Sequence, residues 1–211
     1  MDRMTYADNP KTTYSSGTRG RPRKFDTNTV LASASKVFWE RGYNATSIDD
    51  LCEATGLLRG SLYGLFGDKH GIMVAALDHY AEGAIARLAE RLNGPVPPEE
   101  SLRNALLHIA RVSSSFIGPR SCLITNTMLE MQSNDDVLRD RVSSVQRRMA
   151  TLIAASVIRG QASGAFKSTL DEKAASQFLL CIMQGLRVLG RVATSEGELL
   201  SIVDVAMGAL V

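Results

Sequence analysis

Histidine and cysteine are scarce in this chain, three of each among 211 residues, and there is a single tryptophan. The cysteines, Cys52, Cys122 and Cys181, are odd in number and lack CxxC spacing, which argues against a disulfide framework and a zinc site and fits a reducing compartment. The histidines, His70, His79 and His108, have no carboxylate or cysteine partner by spacing, and the HExxH, GxSxG, GxGxxG and P-loop patterns are all missing. An enzyme is therefore not expected, nor a metal or cofactor. The longest charge-free apolar stretch, Ala174 to Leu186, falls short of the ~20 residues that cross a bilayer. No apolar secretory segment opens the chain either, so the expectation is a cytoplasmic protein with no membrane partner.

An excess of one charge is also lacking: 24 Lys and Arg face 22 Asp and Glu, for a net charge of +2. The small surplus is local. Up to Ile72 there are 10 basic and 8 acidic residues, and after it 14 of each. Thr18 to Lys24 reads TRGRPRK, four cations and no anion beside Gly and Pro, a composition that does not fold alone. With 45% hydrophobic and 22% charged residues, the rest is an ordinary globular composition.

Helical period runs through nearly all of it. Asp26 or Thr27 can cap a first helix whose Val30, Ala34, Val37 and Phe38 share a face, and Gly42 ends it. Thr46 offers the next N-cap, with Asp49 and Asp50 in the first turn and a short stripe of Ile48, Leu51 and Cys52. After Thr55 and Gly56 a third short helix is expected from about Arg59 to Phe66, and Asp68 can cap a long fourth from Lys69 to about Asn93. Gly94, Pro95, Pro97 and Pro98 stop that one. Further helices are expected over 99–116, 121–132, 135–159, 170–194 and 196–210, with Gly160 and Gly164 closing the seventh. Nine helices and no convincing strand predict an all-α bundle.

Two short helices joined by a tight Gly turn form a helix-turn-helix, whose second helix enters the major groove of DNA. Arg59 can reach a guanine edge or phosphate, Gly60 allows close backbone approach, Ser61 adds a hydroxyl and Tyr63 extends toward the backbone. Thr46 places free N–H groups where an anion is stabilised. Lys69 in a first helical turn opposes the helix dipole unless a phosphate neutralises it.

The segment GYNATSIDDLCEATGLLRGSLYGLFGDK resembles the N-terminal signature of the TetR family of transcriptional repressors, with Gly42, Thr46, Ala54, Gly56, Gly60, Tyr63, Phe66 and Lys69 matching together. That resemblance implies a basic arm over 1–24, a helix-turn-helix DNA-binding domain over 25–68 and an effector-binding and dimerisation domain over 69–211. It implies a homodimer on a palindromic double-stranded DNA operator, released by a small-molecule effector. It adds Ser47 to the DNA candidates and promotes Arg21, Arg23 and Lys24 of the arm to minor-groove contacts. Two departures stand out. Leu58 replaces the usual Ser or Thr cap of the recognition helix, and Gly64 with Leu65 replaces a second aromatic and a His or Tyr. These keep a second reading open, a helical small-molecule-binding module with weak or lost DNA binding.

By the same resemblance the effector pocket falls among the helices of residues 69–159, with His108, Phe116, Cys122, Asn126, Met128 and Gln146 as lining candidates. SCLITNTMLEM resembles a subfamily segment with a Cys-Leu pair, some of whose members sense oxidants and electrophiles. Cys122 follows Arg120 at a helix start, where a cation and a helix N-terminus raise the thiolate fraction, whereas a free cysteine more often serves as a small buried hydrophobe. Phe178, Ile182, Leu186 and Leu189, with Ile202 and Ala206, are the candidate dimer surface on the last two helices, where Gly185 and Gly190 permit close approach.

Overall fold

The computed structural model describes residues 25–115, 122–193 and 195–211. Among these the chain forms nine helices and no strand: α1 (Thr27–Arg41), α2 (Ile48–Thr55), α3 (Arg59–Phe66), α4 (Lys69–Leu92), α5 (Pro98–Ser114), α6 (Leu123–Glu130), α7 (Asp136–Ala162), α8 (Glu172–Leu189) and α9 (Glu196–Gly208). The all-α expectation holds. The arm candidates Arg21, Arg23 and Lys24, together with Phe116, lie outside the described residues.

Aspartates start four of the helices. Asp26 accepts from the Asn28 and Thr29 N–H groups, Asp68 from Gly71, Asp135 from Leu138 and Asp171 from Ala174. Each such cap contributes about 1 kcal/mol. The start of α2 corrects the sequence reading by one residue. Ser47, not Thr46, is the N-cap, and it forms a reciprocal capping box with Asp50. Thr46 is buried, its hydroxyl donating to the Gly42 carbonyl at 2.6 Å, so its side chain faces the interior.

A single apolar core runs from Val30 to Leu210 without a gap between the first helices and the rest. In the head, Phe38, Leu51, Leu62, Ile72 and Leu77 are fully buried together. α1 lies against the first half of α4, where the Ser35 hydroxyl donates to the Leu31 and Ala76 carbonyls at 2.7 and 2.9 Å. α4 then continues into the body and packs on α5 and α7, while α7 packs along α8 and α5 along α9. Arg103 to Asp204 at 2.5 Å and Arg111 to Glu196 at 3.5 Å tie α5 to α9 at the surface.

Two glycines differ from their sequence reading. Gly160 does not end α7, which continues to Ala162. It is a packing residue: a Cβ there would collide with the ring of buried Phe166. The chain reverses at Gly164, whose φ of 79° needs a glycine. Gly190 likewise brings the end of α8 against Ser113 of α5, whereas Gly185 meets nothing within its own chain among the described residues.

Gly160→Ala should lower stability by about 1–3 kcal/mol through overpacking against Phe166. Urea denaturation checks this. A midpoint equal to or above the parent's would mean that the ring yields freely and that the helix propensity gain of about 1 kcal/mol prevails.

Candidate nucleic-acid interface and ligand cavity

The turn between α2 and α3 is made by Gly56, left-handed at φ 69°, whose N–H donates to the Cys52 carbonyl. It sends α3 away at an angle with little of its surface covered. Only Leu62 of α3 is buried and Phe66 half-buried. Arg59, Gly60, Ser61, Tyr63, Gly64 and Leu65 are all exposed. An eight-residue helix held by so few apolar groups, with its remaining faces open, is built to meet something outside the chain. Leu58 precedes it as an N-cap without a side-chain hydrogen bond and is 80% exposed, as the departure from the Ser/Thr pattern leads one to expect.

Arg59 is not idle in this state. Its Nη2 lies 2.8 Å from Asp49 Oδ1, in a pair exposed on both sides. Exposed pairs of this kind contribute about 0–1 kcal/mol, so Arg59 can leave Asp49 at little cost. Ser47 is exposed, but its hydroxyl is held by Asp50 in the capping box.

One sequence expectation is corrected here, and another residue gains a second role. Thr46 is buried and offers no side chain to an external anion. Lys69 has a role inside the chain: Nζ donates to the carbonyls of Tyr43 at 2.9 Å and Thr46 at 2.8 Å, and lies 4.4 Å from the centre of the Tyr43 ring, with one of its three N–H donors left over. The carbonyls and ring supply the negative potential that offsets an unfavourable place on the helix dipole. Lys69 thus joins α4 to the α1–α2 turn.

The same turn is gripped from the body. The Tyr43 N–H donates to Glu130 Oε2 at 2.8 Å, and Oε1 of that carboxylate lies 2.5 Å from where a Cβ on Gly42 would be. Gly42 is needed twice, for its φ of 81° and for this room. Nearby, His70 Nε2 is 2.9 Å from Asp135 Oδ2, linking the start of α4 to the cap of α7. Burial pushes the Asp135 carboxyl up, but the Leu138 N–H and His70 outweigh it and leave the group below the usual carboxylate range.

Above the head, α1, α4, α5, α7 and α8 line a cavity of about 280 Å³ that is partly open to solvent, with Arg87 exposed at its mouth and Arg91 and Arg187 half-buried. Of the expected lining residues, His108 and Cys122 line it. Asn126, Met128 and Gln146 do not. Asn126 is buried in α6, and Gln146 Nε2 donates to Met128 Sδ at 3.0 Å within a chain of contacts through Gln184 to Thr125 that joins α6, α7 and α8. α6 is packed on nearly every side, so its period gave no indication of which face meets the cavity. Sequence reasoning missed Trp39, Tyr80, Arg87, Arg91, Met149, Met183 and Arg187. The three arginines look like solvated helix positions until the fold brings them together.

Cys122 is buried at the N-cap of α6, and the Tyr80 hydroxyl donates to its Sγ at 3.7 Å. Burial and then the adjacent Cys122 push the Tyr80 phenol above its ordinary range. α6 therefore begins at the cavity with Cys122 and ends at the head with Glu130.

On the far side of the body, Phe178, Val188, Leu189 and Val192 of α8 and its C-terminal extension are exposed, as is Val205 of α9, with Ile182 and Ile202 half-buried beside them. Leu186 and Ala206, expected on this surface, are 1% exposed and pack within the subunit. Each lies one turn beyond a half-buried candidate, Ile182 or Ile202, where the helix face turns into the core.

The signature described as bacterial regulatory proteins of the tetR family matches residues 30–76, and that of the tetracyclin repressor-like C-terminal domain matches 98–202. The HTH-type transcriptional repressor ComR of Escherichia coli strain K12 is 33% identical over 192 residues, covering 87% of this chain and 88% of ComR. A cysteine mutant of the TetR family transcriptional regulator CifR, solved with 26-bp double-strand operator DNA, is 30% identical with a TM-score of 0.78, covering 90% of this chain and 99% of that one. The reduced form of E. coli NemR shares the fold at a TM-score of 0.81 with 17% identity, over 89% and 98% of the two chains.

Lys69→Met should destabilise the DNA-free protein by about 1–3 kcal/mol, because two carbonyls lose a charged donor. Thermal and urea unfolding test this. A phosphate ligand with no internal role would leave stability unchanged when replaced.

Proposed function

This chain belongs to the TetR family of transcriptional regulators, and on that premise we propose that it is a homodimeric repressor that reads a palindromic operator with α3 and is released by a small molecule in the cavity. The observation that carries the reading is the exposure of α3: Arg59, Gly60, Ser61 and Tyr63 lie together on a helix that has only Leu62 buried. Arg59 leaves Asp49 for a base edge or phosphate, Gly60 allows close approach, and Ser61 and Tyr63 bond the backbone. Ser47 contributes beside the N-terminus of α2, and Arg21, Arg23 and Lys24 reach the minor groove from the arm. Residues 1–24, 25–68 and 69–211 are the arm, the DNA-binding domain and the effector-binding and dimerisation domain.

The exposed apolar faces of α8 and α9 support a two-fold dimer through Phe178, Ile182, Leu189, Ile202 and Val205, with the open Gly185 allowing close approach. Regulation follows the path of α6. A ligand against Cys122 displaces the start of that helix, and Glu130 at its other end shifts the α1–α2 turn and hence α3. An oxidant or electrophile that modifies Cys122 acts by the same route, and Cys122→Ser should abolish that response while sparing operator affinity. No helix among the described residues is long and apolar enough to cross a membrane.

The test is a gel shift on DNA upstream of the protein's own gene, at several salt concentrations. A specific complex is expected. Arg59→Ala should weaken it by about 1–3 kcal/mol without changing thermal stability. Deleting residues 1–24 should flatten the log-log salt dependence by about 0.9 per lost phosphate contact. No specific complex at any salt concentration, with the protein folded, would overturn the repressor reading in favour of a ligand-binding module.

A further inference from the structure

We propose that the cavity takes a small carboxylate with an apolar body, its anionic head clamped by Arg87, Arg91 and Arg187. This rests on the effector reading for its regulatory meaning but not for binding itself. Arg87 and Arg91 stand one turn apart on α4, a spacing at which like charges repel, and Arg187 joins them on the cavity wall from α8. Elsewhere in the body, Arg103, Arg111, Arg139, Arg141 and Arg148 each pair with an Asp or Glu. The three cavity arginines make no ion pair with a carboxylate among the described residues.

Their existing bonds leave donors to spare. Arg91 Nη1 donates to the Arg87 carbonyl at 3.2 Å, and Arg187 Nη1 is 3.5 Å from Gln184 Oε1. Arg91 Nη2 is 3.0 Å from His108 Nε2. A guanidinium only donates, so His108 accepts at Nε2 and is neutral. Burial, then Arg91 and Arg187, hold its pKa below the ordinary histidine range, which agrees with that bond. His108 is thus a positioning residue that aims Arg91 rather than a fourth cation.

The rest of the wall sets the rest of the ligand. Trp39, Leu88, Ile109, Met149 and Met183 are apolar, and the volume of about 280 Å³ is near the lower end of small-molecule pockets. A phosphate or sulfate dianion would leave that surface unfilled. A one-ring or two-ring monoanion satisfies both halves, because planar guanidinium forks match a carboxylate with two parallel bonds.

Trp39 lines the cavity and is the chain's single tryptophan, so its fluorescence reports on this site. The full-length protein is titrated with matched acid and amide pairs: 3-phenylpropanoate and 3-phenylpropanamide, benzoate and benzamide, cyclohexanecarboxylate and its amide, with inorganic phosphate alongside. At least one acid should bind at least about tenfold more tightly than its amide. Arg91→Gln and Arg187→Gln, checked for folding by circular dichroism, should each lose about tenfold for that acid and under about twofold for the amide. Arg147→Gln, outside the cavity, should change neither. The proposal is overturned if no acid outbinds its amide, if phosphate binds as tightly as the best acid, or if both cavity variants keep wild-type affinity. Operator affinity is measured in parallel: acid-selective binding that leaves it unchanged supports the ligand class and removes the effector role.

Discussion

The backbone of residues 42–46 is held by two charged side chains from outside it. Glu130 accepts the Tyr43 N–H, and Lys69 donates to the carbonyls of Tyr43 and Thr46. One comes from the end of α6 and the other from the start of α4, so a five-residue turn joins the head to the body. Charge-assisted bonds to half-buried backbone are among the stronger ones available, about 1.5–3 kcal/mol each. The helix that follows the turn, α2, is short, and its partner α3 is anchored by little more than Leu62 and Phe66. α3 is therefore placed by its packing on α4 and, through α2, by how residues 42–46 are gripped.

That dependence connects binding at one place to reading at another. The core is continuous from Val30 to Leu210, Trp39 of α1 itself lines the cavity, and α6 spans from Cys122 to Glu130. A ligand that favours one placement of α6 over another shifts the turn by its difference in affinity, and coupling of about 1–3 kcal/mol suffices for a regulator. The weak Arg59–Asp49 pair fits this economy, since little stability is lost when Arg59 turns to DNA.

The nine helices and the helix-turn-helix were readable in the chain because caps, breakers and apolar period agreed on where each helix lies, although α8 stops at Leu189, five residues short of its expected end. The missing side-chain cap of α3 was visible as Leu58 in a capping position. Failures came where tertiary packing, not local pattern, decides a residue's role. Thr46 and Ser47 are equally good caps on paper, and only the burial of Thr46 decides between them. Lys69 reads as a misplaced cation until the Tyr43 and Thr46 carbonyls are seen beneath it. Gly160 looks like a terminator until Phe166 folds over it. Arg87, Arg91 and Arg187 look like solvent-facing positions on three helical turns, and no local pattern says that they converge. Leu186 and Ala206 have the apolar character of an interface and belong to the interior, because α8 and α9 carry apolar residues on two faces.

The central claim is that occupancy of the cavity reaches the DNA-reading helix through the α6 carboxylate. Its most direct test is the operator dissociation constant with and without a cavity-filling carboxylate, compared between the parent and Glu130→Ala. The parent should lose at least about fivefold in operator affinity when the cavity is filled. Glu130→Ala should still bind operator and still bind the carboxylate, with the ratio reduced to about one. A variant that keeps the parent's ratio would contradict the account.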